Sequence, residues 1–412
     1  MICVGVDVSK GKSTIFAMDE NATVCMSPKE YPHTPEAMGR LIQQIQAFSG
    51  EVKIVMESTG YYHWPVVYSL LAENLYVSVV NPILMSKFSK ENMRCAKTDQ
   101  LDSIMICRYG LAHWSELRCC TPFDETYDEL KLYARQYHAY MKMMIAAKQN
   151  LNTLLDKTFP DIQTLLCDES GRSKLSDFVK QYWHCDMITR KGEKSFITDY
   201  AKWVKKKGYH MNESKAQEIY ALSQNGIPTL PFNQYTKALV QEAVRVLQSL
   251  EASTQSILTH MNEIAKTLPE YEEVLSMKGV GNKTASRLIA ELGDIRRFHD
   301  AHALVAYAGI DTVPCQSGKF EASNRKITKR GSKYLRKVGY EIMAALVSSK
   351  PKNDNAVYLF ICKKKNEGKY YLAAYMAGLN KFLRIYYARV KKVYMQLQTS
   401  KAQGGVQSTT AP

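Results

Sequence analysis

Apolar runs of strand length alternate with amphipathic stretches of helix length in the first quarter of the chain. Two such runs, separated by Lys10-Gly11-Lys12, predict a β-hairpin. Apolar residues at helical and then at strand spacing follow in turn. The predicted elements are strands at residues 2–6, 13–18, 52–57 and 76–80, and helices at residues 34–48 and 63–73. Strands that alternate with helices predict an α/β layer fold for this part of the chain.

Beyond it the pattern becomes helical. Apolar residues at helical spacing predict long helices over residues 122–166 and 235–268, which are candidates for an antiparallel or an intermolecular coiled coil. The stretch at 167–231 is mixed, and we interpret it as a possible insertion. We therefore expect four parts: an α/β domain at 1–118, a helical coiled-coil linker at 119–270, a mainly α domain at 271–395 and a disordered tail at 396–412.

Charge is concentrated near the C-terminus. The net charge is +15, and residues 318–392 hold 19 Lys and Arg against 4 Asp and Glu, so residues 1–317 are close to neutral. A basic block of this kind indicates phosphate contacts with nucleic acid. The alternative is a solvated surface that promotes solubility. Within the block, lysines and tyrosines alternate from Lys363 to Arg389, as in surfaces that bind unpaired bases or, alternatively, on amphipathic core helices.

The ten cysteines are scattered, without the spacing of a zinc site or a disulfide framework. We therefore expect reduced thiols and a cytoplasmic, nucleoid-associated protein. No apolar stretch reaches the roughly 18 residues of a membrane helix, and the N-terminus lacks the basic region of a signal peptide.

Four acids have placements that indicate metal chemistry. Asp7 lies in the first strand and Glu57 ends another, while Asp99 and Asp102 are three residues apart at the start of a predicted helix that Thr98 can cap. Carboxylates are the ligands of Mg²⁺ or Mn²⁺, which can stabilise attacking and leaving oxygens in phosphoryl transfer. A single acid at a strand end is more often a turn former, so the indication comes from the set.

Two segments of the last domain indicate contacts with DNA. Gly279 and Gly281 flank a valine and precede a helix, as in a helix-hairpin-helix, whose backbone N–H groups can hold a phosphate; a plain helical corner is the alternative. Ser317-Gly318 then precedes a basic, glycine-punctuated helix. The predicted nucleic-acid-binding residues are Gly279, Gly281, Lys283, Arg325, Lys326, Lys329, Arg330, Lys333 and Arg336.

Three N-terminal motifs, Gly-Val-Asp-Val-Ser-Lys, Met-Glu-Ser-Thr-Gly-Tyr-Tyr and Lys-Thr-Asp-Gln-Leu-Asp, occur in the order seen in one family. They resemble the RNase H-like, RuvC-type domain of DEDD transposases, and specifically the insertion-sequence "one-ten" family, which includes the Piv-type invertases. The last domain resembles that family's serine-bearing transposase domain, although Thr312 stands where the family usually has proline.

The resemblance implies an enzyme that cuts and rejoins DNA. Ser317 matches the family's nucleophile, which forms a phosphoserine ester, and Asp7, Glu57, Asp99 and Asp102 match its metal ligands. It further implies a composite site in which the metal cluster activates the serine, a structured guide RNA, and dimers that assemble into a tetramer. Ser323 and Ser332 are fallback nucleophiles.

Three other functions stay open. A junction-resolving nuclease would use the same acids with water as its nucleophile. An actin-like phosphotransferase opens with a similar hairpin but needs glycine-rich phosphate loops that we do not find. A DNA-binding protein without enzymatic activity would tolerate the loss of any one acid.

Overall fold

The computed structural model describes residues 1–58, 60–90, 98–120, 125–166, 173–312, 316–317, 320–321 and 326–404, with the backbone alone at 90, 316–317, 320–321 and 400–404. The chain divides into two compact units, Met1–Phe123 and Asp124–Pro412. Arg325 and Ser323 lie outside the described residues, as does the side chain of Ser317.

The first unit is built on a five-stranded mixed sheet in the order β3-β2-β1-β4-β5. Its strands are β1 (Ile2–Ser9), β2 (Lys12–Asp19), β3 (Val24–Pro32), β4 (Val52–Glu57) and β5 (Val77–Val80). The first three are antiparallel neighbours, and β4 and β5 run parallel to β1. The predicted hairpin and both later strands are confirmed. The edge strand β3 was missed because its mostly exposed residues carry little apolar signal.

Helices cover both faces of this sheet. They are α1 (Pro35–Gln46), α2 (Trp64–Ala72), α3 (Pro82–Lys90) and α4 (Asp99–Ala112), of which α3 was not predicted. Val4 and Val6 of β1 share a core with α1 and α2 on one face, while Cys3 shares a second core with α4 on the other. Side chains alternate between faces along a strand, so the odd-numbered residues of β1 point towards α4.

The second unit contains the two long helices, α5 (Glu125–Thr158) and α11 (Gln234–Lys266). The first half of α5 shares a core with the last part of α11, and the last part of α5 shares another core with the first part of α11. The two helices are therefore antiparallel within one chain. The α5 helix ends earlier than predicted because Pro160 cannot continue it. A supercoiled heptad geometry stays a prediction.

In the described residues between the long helices, 159–166 and 173–233, there are five shorter helices. They are α6 (Ile162–Leu165), α7 (Lys174–Gln181), α8 (Asp186–Thr189), α9 (Glu193–Lys207) and α10 (Glu213–Asn225). Their aromatic side chains form a core with the adjoining ends of α5 and α11. The described residues of the mixed stretch, 173–231, are thus a packed helical module.

The remaining helices form the last part of the chain. They are α12 (Tyr271–Ser276), α13 (Asn282–Leu292), α14 (Ala301–Ala308), α15 (Lys333–Ser349), α16 (Ala356–Asn366) and α17 (Tyr371–Gly404), with a 3₁₀ turn at Ile295–Arg297 and strands β6 (Gln316–Ser317) and β7 (Phe320–Glu321). Helix α17 runs to Gly404. The prediction of a disordered tail from residue 396 is therefore wrong for residues 396–404. Between residues 396 and 403 no Gly or Pro interrupts the helix. Across the described ranges, no helix is long and apolar enough to span a membrane.

Candidate active site

Asp7 and Glu57 lie side by side on the sheet. The parallel register of β1 and β4 pairs Val6 with Met56, so one further residue on each strand brings Asp7 next to Glu57. Adjacent strands are about 4.8 Å apart. Both side chains are half-buried and share the face of Cys3 and the α4 core. Two carboxylates are therefore held at neighbouring positions on the face that α4 covers.

Helix α4 brings the other two acids to the same face. A Cβ atom added to Gly5 would lie 2.6 Å from the backbone nitrogen of Cys107 and even closer to the carbonyl oxygen of Ser103, so α4 rests directly on β1 at this glycine. Since Asp99 and Asp102 occupy the turn before Ser103, they approach the end of β1 that carries Asp7. The contact at Gly5 is a site determinant that sequence analysis missed.

The start of α4 is built as predicted. Thr98 has extended backbone angles, and its side chain accepts a hydrogen bond from the backbone N–H of Leu101 at 3.3 Å. Asp99 is exposed and Asp102 half-buried, both in the first turn, where the helix dipole favours negative charge.

Lys12 in the β-hairpin lies near this group. Its amine forms an ion pair with Glu30 at 2.8 Å, which raises the pKa of Lys12, and the charge of Asp99 raises this pKa further by a smaller amount. A cation from the turn between β1 and β2 is thus within electrostatic range of the acid at the start of α4.

The four acids supply hard oxygen donors, the chemistry that Mg²⁺ or Mn²⁺ requires. Within the described residues, no three of them bring one carboxylate oxygen each to within 4.8 Å of one another. Ionised carboxylates that are brought together repel one another, and a bound divalent cation would offset this repulsion. The four carboxylates, which lie on one face of the sheet, therefore have the chemistry that a divalent metal needs. Their oxygen atoms lie farther apart than they would around a bound ion.

His184, Cys185 and Asp186 do bring one potential ligand atom each to within 4.8 Å of one another. Their hydrogen bonds explain the cluster without a metal: His184 Nε2 lies 3.1 Å from the Leu230 carbonyl, and its Nδ1 accepts from the backbone N–H of Asp186 at 3.2 Å. Burial raises the pKa of Cys185 to about 11, which disfavours the thiolate that binds metals.

Two helices, α12 and α13, flank the turn at Gly279 and Gly281, and the helix-hairpin-helix assignment stays a prediction. Gly279 has φ +87°, and a Cβ there would lie 2.8 Å from the Ile342 carbonyl, so only glycine fits. Gly281 has nothing within 4 Å and is exposed as the N-cap of α13, next to the exposed Lys283. The first glycine makes the turn, and the second leaves the helix start open to solvent.

Ser317 lies in a two-residue strand, β6, which pairs with β7. Two interactions join the chain before this segment to the chain after it. Thr312 forms a β-bridge with Ile327, and the Thr328 hydroxyl donates a hydrogen bond to Asp311 at 2.6 Å. Among the fallback serines, Ser332 caps α15 by accepting from the N–H of Leu335, which is a structural role.

The predicted basic contacts differ in exposure. Lys326, Lys329, Arg330 and Lys333 are exposed. Arg336 is half-buried and donates from Nη1 to the carbonyls of Ala308 and Gly331 at 3.0 and 2.9 Å. Arg336 therefore holds the loop before α15, a role that the basic pattern could not distinguish from phosphate binding.

The alternating lysines and tyrosines also separate into two groups. Tyr386 and Tyr387 are buried in the core, and Arg389 is neutralised by Glu273 and Asp354. Tyr370 and Tyr371 are exposed. The amphipathic-core interpretation thus holds for the second half of this stretch.

Comparison with known proteins assigns both ends of the chain to one class. Residues 4–160 match a transposase model for the DEDD domain of IS110 elements, and residues 271–358 match the model "Transposase IS116/IS110/IS902 family". The protein is therefore a transposase by class. The chain belongs to the IS110 family of transposases and recombinases, which confirms the family predicted from its motifs.

Several relatives match almost end to end. The IS116 insertion-element 44.8 kDa protein of Streptomyces clavuligerus is 21% identical over 95% of this chain and 94% of its own length. The pilin gene-inverting protein of Moraxella bovis is 21% identical over 94% of this chain and 95% of its own. Among solved structures, T. thermophilus RuvC in complex with a Holliday junction substrate is similar over 29% of this chain and 99% of its own, with 13% identity and a TM-score of 0.24.

Proposed function

We propose that this protein cuts and rejoins DNA strands in transposition or site-specific recombination. One observation carries the proposal: in a chain of the IS110 family, four acids from β1, β4 and α4 converge on one face of the sheet. The family relatives that span the whole chain include a gene-inverting protein, which supports the same class of reaction.

Asp7, Glu57, Asp99 and Asp102 are the residues that would hold Mg²⁺ or Mn²⁺. Such a metal, when bound, offsets the negative charge that develops on a phosphate during strand cleavage. The protein's own contribution is positional. The backbone of α4 on Gly5 fixes the distance between the pair on the sheet and the pair on the helix.

Ser317 is the proposed nucleophile. Its Oγ forms a bond to a DNA phosphorus, one phosphorus–oxygen bond to deoxyribose breaks, and the leaving oxygen departs as a hydroxyl that takes up a proton. Since the phosphoserine ester keeps a phosphodiester-type bond, the reverse reaction with a new hydroxyl rejoins the strand without ATP. The exposed Lys326, Lys329, Arg330 and Lys333 would hold the DNA backbone.

A structured guide RNA and a dimer that assembles into a tetramer complete the proposal. The basic last domain is compatible in charge with both RNA and DNA, and the long helices α5 and α11 are the proposed contacts between copies. Light scattering of the protein with and without nucleic acid tests the assembly, and a monomer under both conditions would contradict it.

A covalent-adduct assay tests the nucleophile. The protein is incubated with guide RNA, Mg²⁺ and labelled element-end DNA, and adducts are resolved under denaturing conditions. We expect an adduct from the wild type and from Ser348→Ala, an exposed serine of α15 that serves as the control, and none from Ser317→Ala. Metal-dependent cleavage without an adduct, unchanged in Ser317→Ala, would favour the nuclease that uses water.

Matched acid variants test the metal ligands. Glu57→Gln removes the acid at the C-terminal end of β4, whereas Glu51→Gln changes an exposed acid beside the other end of the same strand. We expect Glu57→Gln and Asp7→Asn to bind DNA but to lose all strand cleavage, and Glu51→Gln to retain it. Cleavage by Asp7→Asn at the wild-type rate would contradict the role of Asp7 and place the active site elsewhere. Wild-type protein that binds DNA without cleaving it would favour a DNA-binding protein without enzymatic activity.

A further inference from the structure

The helical module between the long helices lies outside both matched family segments, which end at residue 160 and resume at residue 271. Its longest helix, α9, packs Phe196, Tyr200, Trp203 and Val204 into the module's core. A helix with one such face turns the opposite face towards solvent. The side chains on that outward face are therefore available to contact a partner.

Lysines dominate the outward face of α9. At 100° per residue, Lys194, Thr198, Lys202 and Lys205 lie opposite the aromatic face, Lys206 lies on its flank, and all five are exposed. We call Lys194, Lys202, Lys205 and Lys206 the lysine face. It extends over about 18 Å, because twelve residues separate its ends at about 1.5 Å each.

The lysine face differs from the other lysines of the module in its partners. Lys191 pairs with Asp199 at 2.5 Å, Lys207 with Asp177 at 3.0 Å and Lys215 with Glu218 at 2.7 Å. By contrast, within the described parts of the chain no carboxylate lies at ion-pair distance from a member of the lysine face. Lys202 still interacts electrostatically with Asp199, to a smaller extent than Lys191 does, and none of the four lysines is held in an ion pair with a described residue that an external anion would have to break.

Helix stability does not account for this arrangement. Lys194 lies in the first turn of α9, where the helix dipole disfavours a cation. Lys202 and Lys206 are four residues apart, and like charges at that spacing destabilise a helix. Only Lys205 and Lys206, in the last turn, benefit from the dipole.

We propose that the lysine face binds the phosphate backbone of double-stranded DNA. A helix face of four cations suits a duplex backbone, and the aromatic residues of α9 are buried, so this helix offers no surface for stacking unpaired bases. The choice of DNA as the polymer rests on the proposed function, whereas the charge complementarity does not. The module thereby adds a nucleic-acid contact to the basic block near the C-terminus.

Salt-dependent binding of the full chain tests this proposal. The variant Lys194→Gln/Lys202→Gln/Lys205→Gln/Lys206→Gln is compared with the wild type by fluorescence anisotropy, on a labelled random-sequence DNA duplex at a series of KCl concentrations. Each phosphate contact contributes about 0.9 to the slope of log K against log salt, so the slope should fall by about 3 to 4. Glutamine keeps the helix, which circular dichroism verifies.

The control removes the same charge from other positions of the module. Lys180→Gln/Lys191→Gln/Lys207→Gln/Lys215→Gln should change the slope by less than about 1, because three of these lysines are paired with acids and Lys180 contacts Gln248. Equal slopes in the two variants, or no change in either, would overturn the proposal. If the fourfold variant does not fold, Lys194→Gln/Lys202→Gln and Lys205→Gln/Lys206→Gln should each give half the effect.

A second arm identifies the polymer. The same variants are titrated with a labelled RNA hairpin, and a slope change confined to RNA would overturn the assignment to duplex DNA. Binding requires no strand cleavage, so the outcome is independent of the adduct assay. Failure of the Asp7 and Ser317 tests would reject the proposed function. The salt slopes would still decide whether the lysine face binds nucleic acid.

Discussion

Gly5→Ala is the substitution that most directly tests how the acid site is held. The added Cβ would lie 2.6 Å from the Cys107 nitrogen and 2.8 Å from the Cys107 Cβ, and closer still to the Ser103 carbonyl oxygen. Nonbonded carbon contacts are optimal at about 3.5–4.0 Å. Helix α4 must therefore move away from β1 by about 1 Å, and its first turn carries Asp102 with it.

Two effects follow from this displacement. Overpacking of a core typically costs about 1–3 kcal/mol of folding free energy. A displacement of about 1 Å in a catalytic group can reduce the rate on the order of 10²-fold. We expect Gly5→Ala to lower the unfolding free energy by about 1–3 kcal/mol and Mg²⁺-dependent cleavage by on the order of 10²-fold.

Two matched glycine variants separate these effects. Gly39 in α1 has no atom within 4 Å of an added Cβ, so Gly39→Ala should leave activity unchanged and stabilise the helix by about 0.5–1 kcal/mol. Gly110→Ala disturbs the far end of α4, where the added Cβ would lie 2.8 Å from Val55 Cγ2. It should lower stability as Gly5→Ala does but reduce cleavage less.

The assays are urea denaturation and cleavage of labelled element-end DNA. An unchanged unfolding free energy in Gly5→Ala would refute the close packing of α4 on β1. Lowered stability with wild-type cleavage would refute the inference that this contact sets the geometry of the acids.

Three further predictions concern the second unit. Glu291→Ala should destabilise the protein by about 3–5 kcal/mol in urea denaturation, because it leaves Arg135 without the fully buried carboxylate that binds it; a loss below about 1 kcal/mol would contradict this. Burial lowers the pKa of His138 to about 4, below its value of 6.5 in the unfolded chain, so stability should fall by about 1–2 kcal/mol as the pH falls from 6.5 to 4. His138→Gln should abolish that part of the pH dependence. Gly279→Ala should destabilise the protein in urea denaturation, whereas Gly281→Ala should not; equal effects would contradict the assignment of the turn to the first glycine.

Local signals in the sequence were sufficient for most elements of the first unit. Thr98 caps α4 at the predicted position, since an N-cap depends on residues three apart in the chain. The strands that carry Asp7 and Glu57 were predicted from short apolar runs. The edge strand β3 was missed because an exposed strand has no buried face to leave a periodic pattern.

The roles of several residues depended on contacts distant in sequence. Arg336 and Lys333 look alike in a basic pattern, but only Arg336 reaches the carbonyls of a loop that the fold brings near it. Tyr371 is exposed and Tyr386 buried, because the packing partners of α17 differ along its length. Charge and aromatic content cannot distinguish these cases without the partners.

The sequence by itself determined the family and the elements that carry the four predicted acids, because these depend on residue types and short-range spacing. Only the tertiary structure decided that the acids share one face. The parallel register aligns Asp7 with Glu57, and the missing side chain at Gly5 lets α4 approach β1. The register joins residues about fifty positions apart, and the packing at Gly5 joins residues about a hundred positions apart, so no local pattern contains them.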